Sequence, residues 1–328
     1  MREVPPIERA AQVLRAGGLV GFPTETVYGL GADAENPRAV KRVFTVKGRP
    51  ASHPLIVHIR DARELEDWAL GVPETAFRLA ERFWPGPLTL VLRRNFRVPR
   101  VVTGGLETVA VRVPGHEVAR SLLSAFGGGI AAPSANRFGA VSPTTADHVR
   151  EGLGSGVDYV LDGGPCLVGV ESTIVDVSGD APTILRPGGT TRENLERALG
   201  RSLPVHAESP VRAPGQHPLH YAPVARMVLV DADQVLREAK RWQGEGRRVG
   251  LLLPPGSLPA DTQGIGHAVI AVPGDMTEYA GCLYGFLREL DHRQCEVIVA
   301  SLPTPEGLGL AIADRLRRAA GPRRCLVR

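Results

Sequence analysis

Several short stretches gather hydroxyls, amides and cations where a packed core gives no reason for them. FPTETVYGLG at 22–31 carries two threonine hydroxyls, a carboxylate and a phenol, then glycines that let backbone approach a ligand. An ordinary strand-to-loop turn is the competing reading. KGRPASHPLIVH at 47–58 sets Lys47 and Arg49 before an apolar run flanked by His53 and His58. Two cations on one extended segment suit a polyphosphate; a solvated basic turn and a satisfied strand-end histidine are the plain alternatives. In Thr108-Val109-Ala110-Val111-Arg112, strand alternation puts Thr108, Ala110 and Arg112 on one face, so Arg112 faces a cavity or solvent. APSANRFGAVSPT at 132–144 offers Ser134, Asn136, Ser142 and Thr144 among turn formers. Such groups suit ribose, phosphate or an amino acid; a helix cap at Ser142 or Thr144 is the competing reading. GVESTIVD (169–176) and ILRPGG (184–189) repeat the theme with Ser172 and Arg186 at strand edges.

The elements that must position these groups are legible from periodicity. Ile7, Ala10, Ala11 and Leu14 share a helical face that Gly17-Gly18 ends, and Leu19–Phe22 reads as a buried strand. Asn36-Pro37 predicts a capped helix with Val40, Val43 and Phe44 inward. Further strands are expected at 55–59, 88–92, 109–113, 130–132, 159–161, 173–177 and 183–185, and Thr190 with Glu193 predicts a capping box. This pattern implies an α/β architecture around one twisted mixed sheet. Residues 206–225, rich in proline, read as a semi-rigid connector after a first domain at 1–205. From 226 to 328 strands at 227–230, 249–253, 269–272 and 297–300 alternate with helices at 234–242, 276–290 and 308–319. That predicts a small Rossmann-like parallel α/β domain, although it lacks G-x-G-x-x-G.

Composition narrows the class. With 328 residues, 43% apolar and 23% charged, the chain has material for two packed domains. No apolar run is long enough for a membrane helix, and the N-terminus lacks a secretory core, so a cytoplasmic location is expected. Cys166, Cys282, Cys295 and Cys325 are scattered and read as reduced thiols. A net charge of +4 permits an anionic substrate without arguing for nucleic acid. Of 39 basic residues only Lys41, Lys47 and Lys240 are lysines, which singles out Lys47 within its motif. P-loop and nucleophile-elbow patterns are absent, and His217 and His220 have no cysteine pair nearby to make a metal site.

Taken in order, FPTETVYGLG, KGRP, HPLIVH, FWPGPLTLVL (83–92), TVAVRVPGH (108–116), APSAN, SPT, LDGG (161–164), GVESTIVD and LRPGG resemble the threonylcarbamoyl-AMP synthase family, with its YrdC-like fold. HYAP (220–223) followed by a further α/β domain is similar to the long, two-domain branch, although APGQHPLHYAP lacks basic residues that some members carry there. The resemblance implies synthesis of L-threonylcarbamoyl-AMP from L-threonine, bicarbonate and ATP, with pyrophosphate released and Mg²⁺ arriving with ATP. It assigns Thr26, His58, Arg112, Ala132 and Ser172 to threonine, and Lys47 and Arg49 to catalysis. Arg49, His53, Thr108, Ser134, Ser142 and Arg186 fall around ATP, with Tyr221 reaching over the nucleotide. It further implies a downstream transferase acting on tRNA, to which this chain would be linked only indirectly. No protein nucleophile is needed, since alignment of mutually repelling anions is the task. Two other classes compete: an RNA-binding module, which the 5% aromatic content disfavours, and a carbamoyl-transfer maturation factor, which the missing zinc-finger cysteines disfavour.

Overall fold

A computed structural model describes residues 4–205, 220–254, 264 and 266–321. The chain divides into two compact units, Met1–Phe138 with Ser142–Gln216, and Gly139–Val141 with His217–Arg328. Most of the expected connector, residues 206–219 with His217, lies outside the described residues, as does Cys325. Among the described residues, no helix is long and apolar enough to cross a membrane.

The first unit begins with α1 (Pro6–Arg15), β1 (Val20–Phe22), β2 (Gly29–Asp33), α2 (Pro37–Lys47) and β3 (Ile56–His58). It continues with α3 (Leu65–Trp68), α4 (Glu74–Phe83), β4 (Leu88–Arg93), β5 (Thr108–Arg112), α5 (Glu117–Phe126) and β6 (Ile130–Ala132). α6 (Ala146–Leu153), β7 (Tyr159–Val160), β8 (Thr173–Asp176), β9 (Thr183–Arg186) and α7 (Arg192–Leu199) complete it. The strands form one nine-stranded mixed sheet in the order β7-β1-β2-β6-β3-β5-β4-β8-β9. β5 shows why this sheet has two unlike faces. Val109 and Val111 enter the main core, while Ala110 joins a small cluster with Ile56, Val91, Ile174 and Leu185 on the other side. That thin apolar floor lies on the face to which alternation assigns Arg112.

Local chemistry explains the element ends. The Asn36 side chain accepts from the amides of Arg38 and Ala39, Pro37 needs no donor, and Gly48 ends α2 at φ 64°. Two expectations are corrected. The cap of α7 is Thr191, which accepts from the Asn194 amide; Thr190 is turned inward, where its carbonyl accepts from Thr173 Oγ1 at 2.5 Å. The glycines of FPTETVYGLG lie within the strand β2, where the sequence suggests a loop open to a ligand. A Cβ on Gly31 would meet Ile130 Cγ2 at 2.7 Å and Phe22 Cε1 at 2.9 Å, so this glycine admits core side chains rather than a ligand.

The second unit contains β10 (Arg226–Leu229), α8 (Val235–Gly244), β11 (Val249–Leu253), β12 (Ala268–Ala271), α9 (Met276–His292), β13 (Val297–Ala300) and α10 (Leu308–Ala320). Its strands are all parallel, in the order β10-β13-β11-β12. Val249, Leu251, Leu253, Val297 and Val299 pack under Val235 and Ala239 of α8. The alternating pattern expected for a Rossmann-like domain is what forms.

Candidate functional site

Backbone hydrogen bonds draw the motif loops of the first unit together. Tyr28 N donates to Pro143 O, Leu30 N to Pro133 O, and Ala135 N to Tyr28 O, so 22–31 is laced to both ends of the 132–144 segment. Val168 N donates to Glu25 O and Cys166 N to Thr144 O, which bring in the stretch before Ser172. Gly86 N donates to Val113 O and Thr173 N to Pro87 O, which fix the WPGP turn between β5 and β8. Gly188 can be nothing larger, since a Cβ there would lie 2.2 Å from Glu171 O.

At the centre is Arg112, 3% exposed. Its Nε donates to Gly86 O at 3.1 Å and its Nη1 to Thr26 Oγ1 at 3.0 Å, and Thr26 Oγ1 lies 2.8 Å from Thr24 Oγ1. Nη2 lies 2.8 Å from Glu25 Oε1. The angle of that ion pair falls short of a hydrogen bond, so both buried Glu25 oxygens lack a donor among the described residues. A buried carboxylate left so is costly unless something else completes it. His58 is buried on β3 with Nδ1 3.4 Å from Ile130 O and its ring edge-on to Phe22. Burial, with the nearby Arg112 charge second, lowers its pKa to about 3, so it is a neutral imidazole. Cys166 sits in the same cluster, its thiol pushed up to about 12 by burial.

A second group surrounds the buried Ser172, whose Oγ lies 2.8 Å from Thr89 Oγ1. Arg186 wraps it, donating from Nε and Nη2 to Ser172 O at 3.2 and 2.8 Å. Nearby in sequence, Ser142 Oγ donates to the buried carboxylate of Glu171 at 2.6 Å. Neither Ser142 nor Thr144 caps a helix; the cap of α6 is Thr145.

Lys47 and Arg49 form the third group. Lys47 ends α2, where the helix's partial negative charge favours a cation. Its Nζ donates to Ser134 O at 2.5 Å and to Asn136 O, so the ammonium ties α2 to the APSAN turn. Burial and the adjacent Arg49 hold its pKa well below the ordinary lysine range. Arg49 Nη2 donates to Pro54 O at 3.0 Å, and the His53 ring packs against Phe138. Ala132 lies buried at the end of β6, and Thr108 is half-buried at the start of β5. Lys47, Arg49, Arg112 and Arg186 are all at most 7% exposed, an unusual density of buried cations.

Tyr221 belongs to the second unit, 1% exposed at φ 60°, stacked on Tyr284 with the Arg315 guanidinium 5.0 Å over its ring. Thr89 and Glu171, to which the sequence assigns no role, stand against Ser172 and Ser142, and Glu25, the carboxylate of 22–31, pairs with Arg112. Glu25 and Glu171 sit inside quoted motifs, so position was the available signal; Thr89 looked like one more strand residue.

Comparison with known proteins is specific. The family model described as "Telomere recombination", which covers Sua5, YciO and YrdC proteins, matches residues 12–188. A second, described as "Threonylcarbamoyl-AMP synthase, C-terminal domain", matches residues 190–321. The threonylcarbamoyl-AMP synthase of Pyrococcus abyssi is 44% identical, covering 97% of this chain and 94% of the relative. That of Bacillus subtilis is 42% identical with the same coverage. The crystal structure of P. abyssi Sua5 complexed with L-threonine superposes with a TM-score of 0.90 at 43% identity, covering 97% of this chain and 96% of that one.

Proposed function

The chain belongs to the threonylcarbamoyl-AMP synthase family of nucleotidyltransferases, and from that premise we propose that it joins L-threonine, bicarbonate and ATP into L-threonylcarbamoyl-AMP, releasing pyrophosphate. The observation that carries the reading is the buried Arg112 paired with the Glu25 carboxylate beside Thr26. A cation and an incompletely bonded anion side by side complement the carboxylate and ammonium of an amino-acid zwitterion. Arg112 takes the carboxylate and Glu25 the ammonium. The Ser172 hydroxyl meets the threonine hydroxyl, which discriminates against alanine and valine. Thr26, neutral His58 and Ala132 line the remaining wall.

Carbamate formation from the ammonium form and bicarbonate yields water and one proton, and Glu25 is the carboxylate that would take it. A carbamate oxygen then attacks the α-phosphorus as pyrophosphate leaves. Lys47 and Arg49 counter the charge developing on the phosphates, with Ser134, Ser142, Thr108, His53 and Arg186 around the nucleotide. Among the described residues no three His, Cys, Asp or Glu converge as a metal cage. Mg²⁺ would come with ATP, held mostly by phosphate oxygens and water. The product would pass to a transferase that modifies tRNA, through which this chain is linked to tRNA indirectly. Pyrophosphate release tests the proposal: it is expected only when threonine and bicarbonate are both present with ATP, and equal release without threonine overturns it.

A further inference from the structure

The second unit has a cavity of its own. In its sheet the chain passes from β10 over the later β13 position to β11 and β12, then returns to β13 between β10 and β11. With right-handed crossovers, those opposite directions of travel put the connecting helices on opposite faces. A crevice then opens at the carboxyl edge of the strands, where open parallel sheets bind ligands. A cavity of about 330 Å³ lies there. Its walls come from the carboxyl ends of all four strands, through Ala232, Leu252, Val272 and Ser301, and from Met276 and Tyr279 in the first turn of α9.

Two features say what would fill it. Tyr279 is 3% exposed, yet its hydroxyl makes no hydrogen bond to any described residue, so the cavity is the place its proton and lone pairs can be satisfied. The described lining also contains no Lys, Arg or His; its one charged group is Glu306, exposed at the rim beside Thr304. The α9 amides that might have held an anion are already taken, because the Asp275 carboxylate accepts from Thr277 N at 2.8 Å and Glu278 N at 2.9 Å. A phosphate is therefore unwelcome. An apolar slot of this volume with hydroxyls inside and a carboxylate at its mouth suits a flat, uncharged base carrying a diol.

We propose that the cavity at the carboxyl edge of the β10–β13 sheet binds a nucleoside without phosphate, its base in the apolar slot against Tyr279 and its ribose diol on Glu306. The test uses the full chain and titrates adenosine and uridine by calorimetry, alongside AMP and UMP. The expected result is a nucleoside-binding component that Ala232→Trp, an exposed position at the mouth, removes. Glu306→Gln weakens it about tenfold, the size of a lost charge-assisted hydrogen bond, and Tyr279→Phe weakens it less. Unchanged circular dichroism and unchanged pyrophosphate release show that these variants stay folded and spare the first unit. The proposal is overturned if neither nucleoside binds, if Ala232→Trp binds as well as the parent, or if the monophosphates bind as tightly as the nucleosides.

Discussion

Arg112 and Glu25 make the sharpest demand on the chemistry, because neither is satisfied by the other alone. Arg112→Ala should weaken threonine binding ten- to a hundred-fold, about 1.5–3 kcal/mol, and ATP binding far less. Glu25→Gln keeps the shape but loses the partner for the ammonium, so threonine affinity should fall about tenfold with Arg112 intact. Calorimetry that finds threonine affinity unchanged in both removes the pair from the amino-acid site. His58 makes a different prediction. Its folded pKa of about 3 lies below the ordinary 6.5, so between those values the unfolded chain binds the extra proton. The stability from keeping this ring neutral is complete above about pH 6.5 and is lost as pH falls toward 3, at up to ~1.4 kcal/mol per pH unit. The melting temperature should fall from pH 7 to pH 5, and His58→Gln should flatten that fall. An identical slope in the variant would place the acid sensitivity elsewhere.

At the scale of elements, the end of α2 decides what Lys47 can do. The helix stops at Gly48 because that residue takes a left-handed φ, which leaves Lys47 in the last turn facing the carbonyls of Ser134 and Asn136. A compact ammonium fits between two carbonyl oxygens where a planar guanidinium does not. Lys47→Arg should therefore cost turnover although the charge is kept, and turnover equal to the parent would show that charge alone matters. The strands behave likewise. β5 could be read from its alternation because one face meets a deep core, whereas β2 was hidden: its Gly-Leu-Gly sequence looks like a turn until Phe22 is seen to need the space.

On the scale of the molecule, the chain divides into two units, one holding the described core of the mixed sheet and the other that of the parallel sheet under α8. Heat unfolding should therefore depart from two-state behaviour. Threonine at about a hundred times its dissociation constant should raise the transition of the first unit by roughly 5–10 °C. A nucleoside should raise only the transition of the second. A single transition moved equally by either ligand would contradict this.

What the sequence determined by itself was whatever depends on near neighbours: helix faces and the Asn36 cap, the strand at 108–112 with Arg112 on its polar side, the restart of alternation after 226, and an ordered run of motifs specific enough to imply the family. What only the tertiary structure decided depends on residues far apart in the chain. The pairing of Arg112 with Glu25 joins positions 87 residues apart, and Lys47 meets Ser134 across as many. The neutrality of His58 follows from burial and a neighbouring charge that no local pattern encodes. The burial of Tyr221 against Tyr284 and Arg315, and the cavity beside Tyr279, likewise exist only once sheets and helices have closed. Periodicity reports which way a side chain points, but partners, dielectric and empty volume are properties of the folded chain.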